Sequence, residues 1–386
     1  MRPAHKKPAK RSIGLIVVAI ILILSVGLLT MIFTRNLPQG HSARTNVLKR
    51  LVKPPQNLDQ LLSLKADDLS EADIARMNLL CADGLPGAEN LNVEENLATL
   101  DQWAQHIKAE TDRNYHRFRD DPGYFSNSEA FYKMLMMAVV LYEDYGVRYN
   151  PKLITSPDAA VADDSFFSDS RDILLHGLTG PQHLGTCSSM PVLYIALGRR
   201  LNYPLKLVKA KGHLFLRWDS LVEKFDMDAT GKGLDKYEDT FYKQWPFPLS
   251  EGDIQEEDYL KSLSAKEELS VFLSLRGACQ TDNGLLGDAL ASFSLACKLV
   301  PTWKGNQVML AQARHRLDRP VVIVQQQQPL NPNIPADPTP MRQNQPRNSF
   351  KTPGKTQINY CCFSCLVNFT YGPKTGRWLG QVTNGD

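Results

Sequence analysis

Apolar residues change their spacing several times along the chain, and each change predicts a different kind of element. The stretch from Ile13 to Phe33 has no period: it is 21 uncharged, mainly aliphatic positions, which as a helix would reach about 31 Å, the thickness of a bilayer core. From Ser70 the pattern is helical. Ser70-Glu71-Ala72-Asp73 resembles a capping box opening a helix with Ile74, Met77, Leu79 and Leu80 as apolar positions, ending at the turn Gly84-Leu85-Pro86-Gly87. A second helix is predicted from about Val93 to Tyr115, with Leu97, Leu100, Trp103 and Ile107 on one stripe, and a third from about Ser128 to Tyr145. A loop rich in Gly, His and Ser, Ser170 to Thr186, leads into Cys187 to Leu201, where Met190, Leu193, Tyr194, Leu197 and Leu201 recur at helical spacing and Pro191 occupies the first turn. After Pro204 the chain turns to short β-prone runs, Leu205 to Ala210, His213 to Trp218 and Lys224 to Thr230, separated by Lys211-Gly212 and Asp219-Ser220. The expected fold class is α+β: a helical first half, then a cysteine-bearing helix on an antiparallel meander.

Residues 265 to 317 return to helical spacing. Gly277, Ala289, Phe293, Ala296 and Pro301 make this stretch similar to a single tetratricopeptide repeat. One repeat cannot bury its own face, so it is expected to dock on the preceding domain or to await a partner. After Arg319, the run Gln325 to Gln328 and frequent Pro and Asn predict a tail with too little apolar surface to fold. The expected organisation is a basic tail at 1–12, a transmembrane anchor at 13–33, a linker at 34–57, an enzyme-like domain at 58–255, a repeat-like helical region at 265–317 and a disordered tail at 319–386.

Charge sharpens that layout. Arg2, Lys6, Lys7, Lys10 and Arg11 precede the apolar stretch, whereas only Arg35 and Arg44 follow it closely. The positive-inside bias then predicts a cytoplasmic N-terminus and a main domain outside a cell membrane, held by a single span. Residues 35 to 318 carry 32 Lys and Arg against 39 Asp and Glu, so the folded part lacks the basic face that nucleic-acid binding needs. Seven cysteines, at 81, 187, 279, 297, 361, 362 and 365, are an odd number that leaves at least one thiol free and does not suggest a disulfide framework. Cys362 and Cys365 have two-residue spacing but no second pair or nearby His to complete a zinc site.

The candidate chemistry centres on Cys187. A thiol attacks as thiolate, and the start of a helix favours that form through its amide donors and dipole. Acyl chemistry also needs an imidazole to exchange protons and a carboxylate to orient it. His213 opens one predicted strand and Asp228 lies near the end of the next, so ring and carboxylate can meet on one face. Asp226, two residues earlier, shares that face and could serve instead; with Asp228 as the orienter, Asp226 reads as a solvated or capping carboxylate. Gln182, five residues before Cys187, is a candidate side-chain donor to an oxyanion beside the backbone of Cys187. His176 and His183 flank the same loop and could line a cleft.

The blocks Gly185-Thr186-Cys187-Ser188-Ser189-Met190-Pro191, Gly212-His213-Leu214-Phe215-Leu216-Arg217-Trp218 and Phe225-Asp226-Met227-Asp228-Ala229-Thr230 look like the Cys, His and Asp blocks of transglutaminase-like proteins with a papain-like fold, in the flavour of the bacterial SirB1-type branch. The resemblance covers residues about 70 to 250. It implies Cys187 as nucleophile, His213 as general base, Asp228 as orienting acid, and a Cys-bearing helix packed on an antiparallel sheet. The activity so expected is acyl transfer or amide hydrolysis on a protein or peptide, with neither metal nor organic cofactor. The alternative is an inactive domain of this kind that serves as an interaction module at the membrane.

Overall fold

In the computed structural model, residues 53–154, 166–230 and 235–318 are described, together with the backbone of two strands, Phe369–Gly372 and Arg377–Gly380, which pair antiparallel. The chain divides into two units, Met1–Lys53 and Pro54–Asp386, and the architecture below belongs to the second. It is a mixed fold of helices and a four-stranded antiparallel sheet.

The first three long helices are α1, Ile74–Ala82, α2, Val93–Arg113, and α3, Glu129–Val139. Each starts at a side chain that takes up an otherwise unpaired amide: Asp73 accepts from Ala75, Asn92 from Glu95 and Ser128 from Phe131. The cap of α1 is thus Asp73 alone, and Ser70 instead ends a short helix, Ala66–Ser70. α2 stops before Tyr115, where a separate helix, Tyr115–Asp120, begins after Asn114. α3 passes into a π-helical turn, Val140–Asp144.

At the centre lies α4, Met190–Arg200, in which every residue from Met190 to Gly198 is buried. A helix apolar all round needs cover all round, and α1, α2 and the sheet provide it. The sheet runs β1, Leu205–Ala210, β2, His213–Asp219, β3, Lys224–Asp228, and β4, Asp235–Tyr237, in sequence order. Gly212, at φ +81°, makes the sharp β1–β2 turn that a β-carbon would strain. Gly198 lets the C-terminal end of α4 press against Leu205, since a Cβ there would lie 2.3 Å from the leucine Cδ1.

The two sheet faces have different partners. Leu205, Leu207, Leu214, Leu216, Trp218, Phe225 and Met227 join the main core with α4. Val208, Ala210 and Phe215 face the other way, toward Tyr242 and Leu260. The free edge of β1 is covered by residues 260–263, whose Leu260 and Leu263 amides donate to the carbonyls of Lys209 and Leu207.

Residues 265–318 form three successive helices, α5, Ala265–Asp282, α6, Leu286–Leu299, and α7, Lys304–Asp318. The expected single two-helix repeat is therefore corrected. α5 docks on the preceding domain, the first of the two expected alternatives: Leu269, Phe272, Leu273 and Leu275 are buried in the main core, and Arg276 donates to the Cys81 carbonyl of α1 at 3.0 Å. Localisation needs a correction as well. No helix among the described residues is long and apolar enough to cross a membrane, which overturns the expected single-pass placement; the stretch 13–33 itself lies outside the described residues. Most of the tail, with Cys361, Cys362 and Cys365, lies outside them too.

Candidate functional site

Cys187 sits in the turn that leads into α4, and the hydrogen bonds show a helical turn already in place there. The Met190 amide donates to the Thr186 carbonyl at 2.9 Å, Ser188 donates to Thr186 Oγ1 at 3.3 Å, and the Thr186 amide donates to Ser189 Oγ at 3.0 Å. This reciprocal pairing has the form of a capping box with Thr186 as the cap. Thr186 Oγ1 and Ser189 Oγ both donate to the Asp172 carbonyl, at 2.8 and 3.1 Å, and fasten the turn to the preceding loop. Cys187 is thus the first residue of a rigid helical turn, and it is fully buried. Its sulfur is disulfide-bonded. Cys81, Cys279 and Cys297, the other described cysteines, are free. Burial pushes the thiols of Cys81 and Cys279 up to about 12.

The sheet brings two of the three expected residues into contact. The β2–β3 register, with Leu216 opposite Met227, puts Asp228 across from Phe215 and diagonal to His213 on the same face, a separation that long side chains span. His213 Nε2 and Asp228 Oδ2 are 2.6 Å apart, both residues buried. The other carboxylate oxygen accepts from the Thr230 amide at 2.9 Å and from its hydroxyl, and Tyr242 OH donates to Oδ2 at 3.4 Å. Burial alone would raise the Asp228 carboxyl, but the charge of the His213 ring and the hydrogen bonds from His213 and Thr230 outweigh it and hold the pKa below the ordinary range. With Nε2 fixed on Asp228, Nδ1 is left for proton exchange. That atom is buried and has no hydrogen-bond partner, so no hydrogen bond joins it to Cys187.

The position of Cys187 relative to this pair follows from α4. The C-terminal end of the helix is pinned at the start of β1, where Gly198 meets Leu205 and Arg199 Nε donates to the Leu205 carbonyl at 3.3 Å. Eleven helical residues rise about 16 Å, close to the length of β1, and α4 packs along both β1 and β2. Its N-terminal turn therefore lies toward the end of the hairpin where His213 begins β2, while the side chains of His213 and Asp228 share the sheet face of Ala210 and Phe215, which is turned away from α4.

Three other candidates take different roles from those expected. Asp226 is not solvated: it is buried directly opposite Arg217, whose Nη2 donates to it at 2.8 Å and to Asp239 at 2.6 Å. Removing a charge from water is offset here by a guanidinium fork aimed at the carboxylate. His176 is buried, with Nε2 3.1 Å from Ser170 Oγ, and burial lowers its pKa to about 4. His183, at φ +52°, donates from Nδ1 to the Leu178 carbonyl at 2.9 Å and packs its ring 5.4 Å from that of Trp103. Both loop histidines thus have packed, hydrogen-bonded positions. Gln182 is exposed in the turn between His176 and His183.

The sequence reading missed Tyr242 and Trp245. The Trp245 ring meets that of His213 edge-on at 4.6 Å, and Tyr242 lies parallel to it at 6.1 Å. The signal was present as an aromatic-rich segment, Tyr237 to Phe247, but nothing in its spacing says that it folds back over the sheet. Among the described residues no group of three His, Cys, Asp or Glu side chains could hold a metal ion. A scan of family models, a search of curated proteins and a search of solved structures found no match to the chain, so neither the transglutaminase-like nor the tetratricopeptide resemblance gains support from them.

Proposed function

We propose that the protein is a thiol enzyme acting on amides of proteins or peptides, with Cys187 as nucleophile, His213 as proton carrier and Asp228 as its orienting carboxylate. The finer fold reading that goes with it is a transglutaminase-like core built from α4 and the four-stranded sheet. One observation carries the proposal: the His213–Asp228 pair is buried and fully engaged at Nε2, while Nδ1 has no partner. An open ring nitrogen alone is not the mark, since Nδ1 of the buried His176 also has no partner; what sets His213 apart is the buried carboxylate on its other nitrogen, the arrangement of a general base.

The chemistry would begin from the reduced protein, because the sulfur must be a thiolate. His213 takes the thiol proton; the sulfur then attacks the amide carbonyl, forming the C–S bond. The C–N bond breaks, and the amine leaves with the proton from His213. An amine or water next attacks the thioester, gives its proton to His213 and releases the acyl group as the C–S bond breaks. A second reading, a binding module without turnover, is favoured by the disulfide at Cys187 and by the absence of a hydrogen bond from it to His213.

Alkylation separates the two. The full chain is reduced, freed of reductant and treated with limiting iodoacetamide from pH 5 to 9, and the modified cysteines are identified by mass. The enzyme reading expects Cys187 to react well below the ~8.5 of an ordinary thiol, ahead of Cys81 and Cys279, and to lose that advantage in His213→Ala. A Cys187 that titrates as an ordinary thiol in both proteins leaves the binding module.

A further inference from the structure

The sulfur of Cys187 is disulfide-bonded, while Cys81, Cys279 and Cys297 are free thiols. Of the seven cysteines in this chain, those left as its partner are Cys361, Cys362 and Cys365, which lie outside the described residues. Their spacing decides which of them suit exchange. Adjacent residues have Cα atoms about 3.8 Å apart across a trans peptide, short of the roughly 4.4–6.8 Å that a disulfide spans. Cys361 and Cys362 are therefore poorly placed to close on each other. Cys362 and Cys365, with two residues between them, have the spacing of dithiol pairs that open and close reversibly.

Cys187, for its part, is suited to leave such a bond. It is the first residue of a rigid helical turn, whose amide donors and dipole favour a thiolate. Exchange is faster the lower the pKa of the departing thiol. The free thiols of Cys81 and Cys279 compete poorly as attackers, since burial pushes them up to about 12, and burial raises Cys297 as well.

We propose that the Cys187 disulfide is a reversible lock on the nucleophile, made with one cysteine of the pair Cys362 and Cys365 and opened by the other. The free thiol of the pair gives its proton to water and attacks its neighbour's sulfur. The bond to Cys187 breaks, a disulfide closes within the pair, and Cys187 leaves as the thiolate. The reverse step restores the lock. One disulfide and one thiol stand on each side, so neither an oxidant nor a reductant is consumed. The inference rests on the thiol-enzyme reading, because the bond governs activity only if Cys187 is the nucleophile.

The test keeps the full chain free of reductant. Limiting iodoacetamide at about pH 8.5, where half of an ordinary thiol is ionised, traps Cys187 as it is released, and mass mapping follows the alkylated residue and its disulfide-linked peptide. In wild type Cys187 is expected to be linked to Cys362 or Cys365 and to become alkylated with time. Cys361→Ser leaves only the pair and should behave as wild type. When Cys362→Ser or Cys365→Ser is added to it, at least one of the two double variants is expected to keep Cys187 bonded. Release there slows roughly 100-fold, because a thiol a few residues away acts at an effective concentration of the order of 1 mM and one on another molecule at about 10 µM protein. A Cys187 that is free at the outset in wild type, that is linked to Cys361, or that is released at the wild-type rate in both double variants overturns the lock. If the lock opens as expected but Cys187 of the fully reduced chain titrates as an ordinary thiol in both wild type and His213→Ala, the thiol-enzyme reading has failed and the bond governs no activity.

Discussion

A histidine that is buried without its charge makes a fold sensitive to acid. His176 has an ordinary pKa near 6.5 when exposed, and burial lowers it to about 4 in the folded protein. Between those values the unfolded chain binds a proton that the folded chain does not, so stability falls as pH drops from 6.5 toward 4. The shift corresponds to roughly 3 kcal/mol at most. Urea unfolding of wild type and His176→Gln across this range is expected to show a steeper loss in wild type; equal slopes would mean that the ring charges without cost. Asp228 acts in a lower window. Its carboxyl is held below the ordinary range, so its stabilising contribution is complete above about pH 4 and is lost as pH falls through its own folded value. Asp228→Asn keeps the shape and removes the charge, turning a charge-assisted contact into a neutral one worth about 1 kcal/mol less. The expected result is a Cys187 alkylation rate reduced by about tenfold near neutral pH, with a stability deficit that closes below pH 4. An unchanged alkylation rate would remove Asp228 from any role in orienting the ring.

At the scale of elements, close approach is set by glycines at two helix contacts. Gly277 in α5 faces Phe293 in α6, and a Cβ would lie 2.7 Å from the ring. Phe293 is fully buried and has little room to retreat. Gly277→Ala is therefore expected to destabilise the protein by about 1–3 kcal/mol through overpacking, although alanine is the better helix former. A gain in urea midpoint would show that the ring can move aside. Gly277, Ala289, Phe293 and Ala296 were singled out by the resemblance to a repeat rather than as a contact, and helical spacing through residue 317 did not mark α7 as a separate third helix. Its buried residues are only Asn306, Met309 and Ala313, too polar and sparse for a clear period. The β-strands β1 to β3 were readable to within a residue or two because each begins or ends at a turn with Gly, Asp or Ser. β4 has three residues without alternation, and no local signal marks it. His213 and Asp228 were legible because strand parity fixes their shared face. The ion pair of Asp226 needed the register as well, because only the pairing with Arg217 on the next strand shows why a carboxylate can be buried there. The state of the Cys187 sulfur and the exposure of Gln182 depend on tertiary placement that spacing does not encode.

Across the whole described unit, the sheet is joined to the C-terminal helices through a buried charge. Lys209 on β1 reaches Glu257 with Nζ–Oε2 at 3.1 Å, its ammonium lies 3.4 Å from the centre of the Trp303 ring, and the other Glu257 oxygen accepts from the Gly305 amide in the first turn of α7 at 2.7 Å. Burial lowers the Lys209 pKa to about 8, against the pull of Glu257. A pair held this far from water is costly to form, so it adds little net stability over apolar residues of the same shape, while breaking it strands one charge. Lys209→Met should then lower stability by about 3 kcal/mol, and Lys209→Met with Glu257→Leu should recover most of the loss. The two results together distinguish a stranded Glu257 from a simple loss of packing. Urea midpoints at unchanged slope measure both, and Trp303, with its indole N–H on Asp258 at 3.0 Å, reports by fluorescence whether α7 leaves the sheet first. If the single variant loses less than about 0.5 kcal/mol, the range of an ordinary surface substitution, Glu257 has kept its hydration and the junction rests on the apolar contacts of α5 alone.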